Sequence, residues 1–188
     1  MRALDQDAGG LVERARSGDG EAVSDLAVLY GPEVYRLARY LLGSVEEARD
    51  AAADIFARLF VFPGNIPVDS FRPWLMKVVY NHCIDVLRRR KVLNRLLPKI
   101  YQRITANPDP TPDEAAVETD EREEVRRAVA LLPEQDRAVV VLRYYQQMSY
   151  AEISKIMDIP EATVGTRLHR AREKIRRVLA KNEGVGEI

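Results

Sequence analysis

Apolar residues recur every three or four positions through most of this chain, and no convincing run alternates apolar with polar over the length of a strand. That period belongs to helices with one buried face. Leu11 to Arg16 reads as a short helix ending near Ser17-Gly18-Asp19-Gly20, and Glu21 to Tyr30 as a second, stopped by Gly31-Pro32. Glu33 to Leu42 puts Val34, Leu37, Ala38 and Leu41 on one face and ends at Gly43. Ser44 and Glu47 have capping-box spacing and open a helix to about Phe60, with Ala48, Ala51, Ala52, Ile55, Phe56 and Leu59 as its apolar face. Two prolines and a glycine make Val61 to Asp69 a loop. Ser70 can cap the next helix, which has Pro73 in its first turn, carries Phe71, Trp74, Leu75, Val78, Val79 and Val86, and runs to Arg88-Arg89-Arg90.

Helical spacing of Leu93, Leu96, Leu97 and Ile100 allows Lys91 to Ile104 to extend that helix across Pro98. Asn107 to Asp120 differs, with three prolines, five acids (Asp109, Asp113, Glu114, Glu118, Asp120) and no base. It reads as an extended linker. Glu121 to Leu131 is the next helix, and Leu132-Pro133-Glu134 breaks it and starts another that reaches Tyr145. Ser149 to Met157 is a short helix with a second capping-box pair, Ser149 and Glu152. After Asp158-Ile159-Pro160, a long helix starts at Glu161, with Val164, Leu168, Ala171, Ile175 and Leu179 in one stripe. The pattern predicts an all-α protein of two small helical domains, 8–91 and 121–181, joined by a flexible linker over 92–120.

Composition narrows the function. Acids and bases balance at 29 each, so any nucleic-acid binding is local or partner-dependent. The single cysteine, Cys83, excludes an internal disulfide and suits a small core residue. No apolar run reaches transmembrane length and no leader pattern opens the chain, so a cytosolic location is expected. His82 and His169 fall in different predicted domains, and there is no metal-ligand cluster, glycine-rich phosphate loop or nucleophile–base pair. No enzymatic activity, cofactor, metal or small-molecule substrate is expected.

Three constellations remain. From Thr163 to Lys181 there are seven Lys/Arg and one acid, on a helix that follows a capped helix and a three-residue turn. An ordinary hairpin with a solvated charged face has that charge pattern too. The capped first helix, the tight turn and the short polar residues Glu161, Thr163 and Thr166 favour a helix-turn-helix entering a DNA major groove. The second constellation is the helix after Ser70, with Asn81, Asp85, Arg88 and Arg89 on its polar face and Phe71, Trp74 and Tyr80 on its apolar side. Rings beside guanidiniums suit single-stranded DNA; a core tryptophan and a solvated basic helix end account for the same residues. The third is Asp50, Asp54 and Arg58, four residues apart and therefore on one exposed face. They form either a minor intrahelical ion pair or a surface for docking a partner protein.

Together these pieces resemble the extracytoplasmic-function (ECF) sigma factors of the sigma-70 family. The resemblance rests on Leu11-Val12 with Arg16 to Ala22; Ala48-Arg49-Asp50 through Phe56; Phe71-Arg72-Pro73-Trp74-Leu75 with Asn81, Asp85 and Arg88-Arg89-Arg90; Leu131 to Arg137; and Tyr150 to Ile153 with Ile159 to Val164 and Arg167 to Arg172. Two departures stand out. Ala53 replaces a glutamine usual in the docking helix, and Ala162 and Gly165 occupy positions that often hold glycine and a polar residue.

The resemblance implies partners and roles. Core RNA polymerase would be bound through its β′ clamp helices and β flap, with Asp50, Asp54, Phe56 and Arg58 in the docking helix. Asn65, Trp74, Asn81, Asp85, Arg88 and Arg89 would face the melted −10 element, Asn65 shaping a pocket for a flipped base, an extrusion that costs a few kcal/mol. Glu161, Thr163, Thr166, Arg167, His169, Arg170 and Arg172 would face the −35 element, Arg167 projecting toward the groove. The acidic linker would thread near the RNA exit path of polymerase. An anti-sigma factor is an expected partner. The alternative is a stand-alone helix-turn-helix regulator.

Overall fold

The computed structural model of the protein describes residues 3–96 and 120–183. Every regular element among them is helical: α1 (Ala3–Arg16), α2 (Gly20–Leu42), α3 (Val45–Val61), a single 3-10 turn (Pro63–Asn65), α4 (Phe71–Leu96), α5 (Asp120–Ala130), α6 (Glu134–Val140) running into a π-turn (Val141–Tyr145), α7 (Tyr150–Met157) and α8 (Glu161–Glu183). The expected extension of α4 is followed to Leu96. Leu97 to Ile104 and the linker acids Asp109, Asp113, Glu114 and Glu118 lie outside the described residues.

Local chemistry sets most boundaries. The Asp19 carboxylate accepts the N–H groups of Glu21 (3.0 Å) and Ala22 (3.3 Å), satisfying two of the orphan donors of α2. It also accepts from Arg14 Nε at 2.7 Å, and this bond with the caps holds the Asp19 pKa below its ordinary value. Gly43, at φ 78°, ends α2 in the left-handed conformation that glycine adopts at no steric cost. Ser44 caps α3 through the N–H of Glu47, as expected. The Glu47 carboxylate does not close the box, however; it pairs with Arg90 of α4 and ties two helices together.

One expected break is absent. Gly31-Pro32 does not stop the chain, and α2 continues through Pro32 to Leu42. Proline removes one ladder bond and crowds the preceding turn, a cost of about 3 kcal/mol. Leu26 and Tyr30 before it, and Val34, Leu37 and Leu41 after it, are all buried on one face. Burying large side chains yields about 1.5–3 kcal/mol each, so the packed stripe outweighs the break.

In the first half, α2 packs on α1, α3 and α4; in the second, α8 packs on α5, α6 and α7. The halves also meet, α4 against α7 and α2 against α6. Their buried apolar residues form one contiguous cluster, from Val12 and Leu26 through Leu75 to Leu142, Ile153 and Leu168. The linker pattern alone did not imply this contact.

Candidate nucleic-acid interface

The helix-turn-helix is built by α7 and α8. Ser149 Oγ accepts the Glu152 N–H at 3.2 Å, and Glu152 Oε2 accepts the Ser149 N–H at 2.7 Å, a complete capping box. Partial burial pushes the Glu152 pKa up, but the bonds from Ser149 outweigh it and hold the carboxyl below its ordinary value. Asp158 closes α7 in the left-handed region at φ 54°. The turn is locked from both sides, by Ile159 N–H to the Ser154 carbonyl (3.2 Å) and Ser154 Oγ to the Ile159 carbonyl (2.6 Å). The Pro160 carbonyl accepts the N–H groups of Thr163 and Val164, so proline starts α8 where it needs no donor.

Val164, Leu168 and Ala171 are buried, as the stripe predicted. Glu161, Thr166, His169, Arg170 and Arg172 are exposed, and Thr163 is half-buried. The Thr166 hydroxyl turns back to the Ala162 carbonyl at 2.9 Å. Arg172 Nε reaches the Leu168 carbonyl at 3.4 Å.

Arg167 does not behave as expected. Its guanidinium folds inward from α8, donating to Asp136 Oδ1 at 2.9 Å and to Gln135 Oε1 of α6. The side chains of this ion pair are 20% and 14% exposed. A carboxylate as enclosed as that of Asp136 demands a counter-charge, and Arg167 is the one beside it. Nothing local reveals this, because the partners lie 31 positions apart.

On α4, Asn81, Asp85, Arg88 and Arg89 are exposed together. Asp85 and Arg88 pair at 3.5 Å across an exposed turn, a contact worth little. Trp74 is partly buried, its ring 6.0 Å from that of Phe71 and packed on the core, so it serves at least in part as a packing residue. Asn65 ends the 3-10 turn that follows Phe62, which is 72% exposed. On α3, Asp50, Asp54 and Arg58 are exposed on one face, whereas Phe56 packs inward against the core.

These two sets lie closer together than their separate assignments suggested. Asp50, Asp54 and Arg58 line one wall of a groove whose other wall carries Asn81, Asp85 and Arg89. His82 lines it too, half-buried; burial first, then the nearby Arg58, keeps its pKa below the ordinary value. Mixed charge makes the groove a polar recognition surface rather than an anion trap. Among the described residues there is no group of three or more His, Cys, Asp or Glu that could hold a metal. Cys83 is buried, and burial pushes its thiol pKa up to about 12, far from a reactive thiolate.

Sequence reasoning missed the residues that join the halves. Arg137 Nη1 donates to the Tyr40 carbonyl at 3.1 Å, and burial lowers its pKa. Gln146, 1% exposed, donates from Nε2 to the Glu33 carbonyl at 3.0 Å and accepts Arg72 Nη2 on its own carbonyl at 2.8 Å. Arg137 stood within a stretch carrying the family resemblance, but nothing in the local pattern marks Gln146.

Among the described residues the protein offers an exposed basic face on α8 and a second, separate polar face on α4. Comparison with known proteins bears on what these faces serve. The Sigma-70 region 2 model matches residues 16–92, and the Sigma-70, region 4 model matches residues 122–175. The chain is 31% identical over 177 residues to the ECF RNA polymerase sigma factor SigW of Bacillus subtilis, covering 89% of this chain and 94% of that protein. It is 33% identical over 173 residues to the ECF RNA polymerase sigma factor SigM of Mycobacterium tuberculosis, covering 90% and 83%. It therefore belongs to the ECF sigma factors of the sigma-70 family. Among solved structures, CnrH in complex with the cytosolic domain of CnrY aligns with a TM-score of 0.63 at 24% identity, covering 92% of this chain and 97% of that one. RpoE of Bartonella quintana, solved with the anti-sigma factor NepR, aligns with a TM-score of 0.64 at 18% identity, covering 84% and 96%. Both share the fold. Family membership sets aside the stand-alone regulator.

Proposed function

We propose that this sigma factor docks on the β′ clamp helices of core RNA polymerase through Asp50, Asp54 and Arg58, and reads two promoter elements with two separate helix faces. Glu161, Thr166, His169, Arg170 and Arg172 face the −35 element, with Thr163 at the edge. Asn81, Asp85, Arg88 and Arg89 face the non-template strand of the −10 element, beside the Phe62–Asn65 turn. Arg167 positions α8 on α6 and touches no base. The carrying observation is the division of α8 into a buried stripe, an inward brace and an outward polar face. A solvated helix face exposes charged residues as well; the capped α7, the locked turn and exposed Thr166, His169, Arg170 and Arg172 together support the DNA-reading role.

The chemistry of each contact follows. A guanidinium at Arg170 can donate twice to guanine or grip a phosphate, and Glu161 can accept a cytosine amino proton. The protein acts as an initiation factor, with no activity of its own toward nucleotides, in the cytoplasm. The second half contacts the β flap, and an anti-sigma factor holds the free protein; CnrH and RpoE were solved with the cytosolic domain of CnrY and with NepR. The test is gel filtration with core polymerase followed by transcription from a cognate promoter. No complex at micromolar concentration sinks the reading.

A further inference from the structure

We infer that His82 is a further residue of the −10 face, an imidazole that is neutral in the free protein and takes up one proton when a phosphate of the unpaired strand settles over α4. This rests on the −10 reading above, which assigns Asn81, Asp85, Arg88 and Arg89 and leaves His82 without a role. On α4, His82, Asp85 and Arg89 follow one another at intervals of three and four residues, so they share a stripe beside the one formed by Asn81, Asp85 and Arg88. The His82 stripe borders the groove between α3 and α4, and Arg88 is not part of its wall. A strand gripped by Arg88 on one stripe and Arg89 on the other therefore passes within reach of the imidazole.

The charges around the ring are balanced. Asp54 and Arg58 face it from α3, and Asp85 and Arg89 from α4. Asp50 and Glu47 lie further along the α3 wall, and Glu47 is already held by Arg90. No other element among the described residues lines the groove. The ring makes no hydrogen bond among the described residues, so its nitrogens are open to a ligand. Half-burial first, and Arg58 after it, disfavour the charged form and keep the ring neutral at neutral pH. Two arginines and two aspartates set no net charge against the ring, so an arriving phosphate tips its protonation. An anion within about 4–6 Å favours the charged form. Once protonated, the imidazolium joins Arg88 and Arg89 as a cation on the strand and donates to a phosphate oxygen. The proton comes from solvent and returns to it when the strand leaves.

Strand binding raises the His82 pKa, so affinity grows as pH falls through the strand-bound value and levels off below the free one, which lies under the ordinary 6.5. One proton per strand limits the slope to about tenfold per pH unit. The test measures the affinity of holoenzyme for an unpaired −10 oligonucleotide between about pH 5 and pH 8, where other side-chain types do not ordinarily titrate. Leaving out the −35 duplex removes His169 from the measurement. Wild type should bind several-fold more tightly at the acid end than at the alkaline end. His82→Gln, neutral at every pH, should lose that difference; polymerase's own titrations are common to both profiles and cancel between them. His82→Lys, charged at every pH, should lose the difference too, while binding more tightly than His82→Gln. Arg88→Ala should weaken binding across the range and keep the slope. Denaturant melts check that each variant folds. The inference is overturned if His82→Gln keeps the wild-type slope, or if wild type has none. If Asn81→Ala and Arg88→Ala leave strand affinity unchanged at every pH, the −10 reading itself fails and takes this inference with it.

Discussion

The helices proposed to read DNA, α4 and α8, are built on different plans. On α4 the four polar residues proposed to face DNA, Asn81, Asp85, Arg88 and Arg89, all stand outside over buried Leu75, Met76, Val79 and Cys83, and the helix is braced by other cations, Arg72 on Glu33 and Arg90 on Glu47. On α8 the brace comes from the basic stripe itself. Arg167 is spent inside the domain on Asp136, whereas Arg170, less than a turn further on, is exposed. Both helices use a cation to fix their placement, but on α8 that cation comes from the stripe proposed to face DNA, so a basic stripe overstates how many cations face outward.

The largest expected effects come from the cores. Leu75→Ala and Leu168→Ala should each destabilise the fold by about 2–5 kcal/mol, since both side chains are fully buried. Because the two halves share one apolar cluster, calorimetry should show a single transition moved by either variant. Two transitions, each answering to one variant, would break the picture of a joined body.

Next is the contrast within α8. Arg167→Ala leaves the enclosed Asp136 carboxylate without its cation and should destabilise by about 1–3 kcal/mol, weakening −35 binding without changing base preference. Arg170→Ala should alter stability by less than about 0.5 kcal/mol and cost about 1–3 kcal/mol in −35 binding if it reads a base. Denaturant melts together with a −35 variant library compare the two. Equal stability in both variants would remove the brace.

On α4, Asn81→Ala and Arg88→Ala should leave the melt within about 0.5 kcal/mol of wild type, spare closed-promoter binding and reduce opening. Permanganate reactivity of unpaired thymines measures this; equal loss of closed and open complexes would place these residues elsewhere.

The smallest effect is titratable. The Glu152 pKa is lower in the folded protein than its ordinary 4.5, so its capping contribution is present above that value and lost as pH falls through the folded pKa. Glu152→Gln should be less stable than wild type at neutral pH, and the gap should narrow as pH falls below 4.5. A gap that stays constant with pH would mean that the carboxylate charge plays no part in the cap.

Much of this was legible in the chain. Ser44, Ser149 and Gly43 act within four residues of themselves, so turn chemistry identifies them; Asp19, read only as part of a break, is the N-cap of α2. The stripe Val164, Leu168, Ala171 is periodic, so its buried face follows from spacing. Pro32 was misread because a local breaking cost was weighed without the buried residues on both sides of it. Phe56 and Trp74 are both partly buried against the core, as apolar spacing allows for each. Four of the five linker acids lie outside the described residues, and Asp120 opens α5.

The sequence by itself determined the helices, the caps, the helix-turn-helix and the sets of residues sharing one face, because each depends on spacings of three or four positions. Only the tertiary structure decided which of those residues are free. Arg167 is bound because Asp136, 31 positions earlier, is enclosed beside it; Asp54 and Asn81 share a groove because α3 packs on α4; and Gln146 is buried because Glu33, 113 positions away, meets its amide. Burial and counter-charge are properties of neighbours in space, and a helical period carries no record of them.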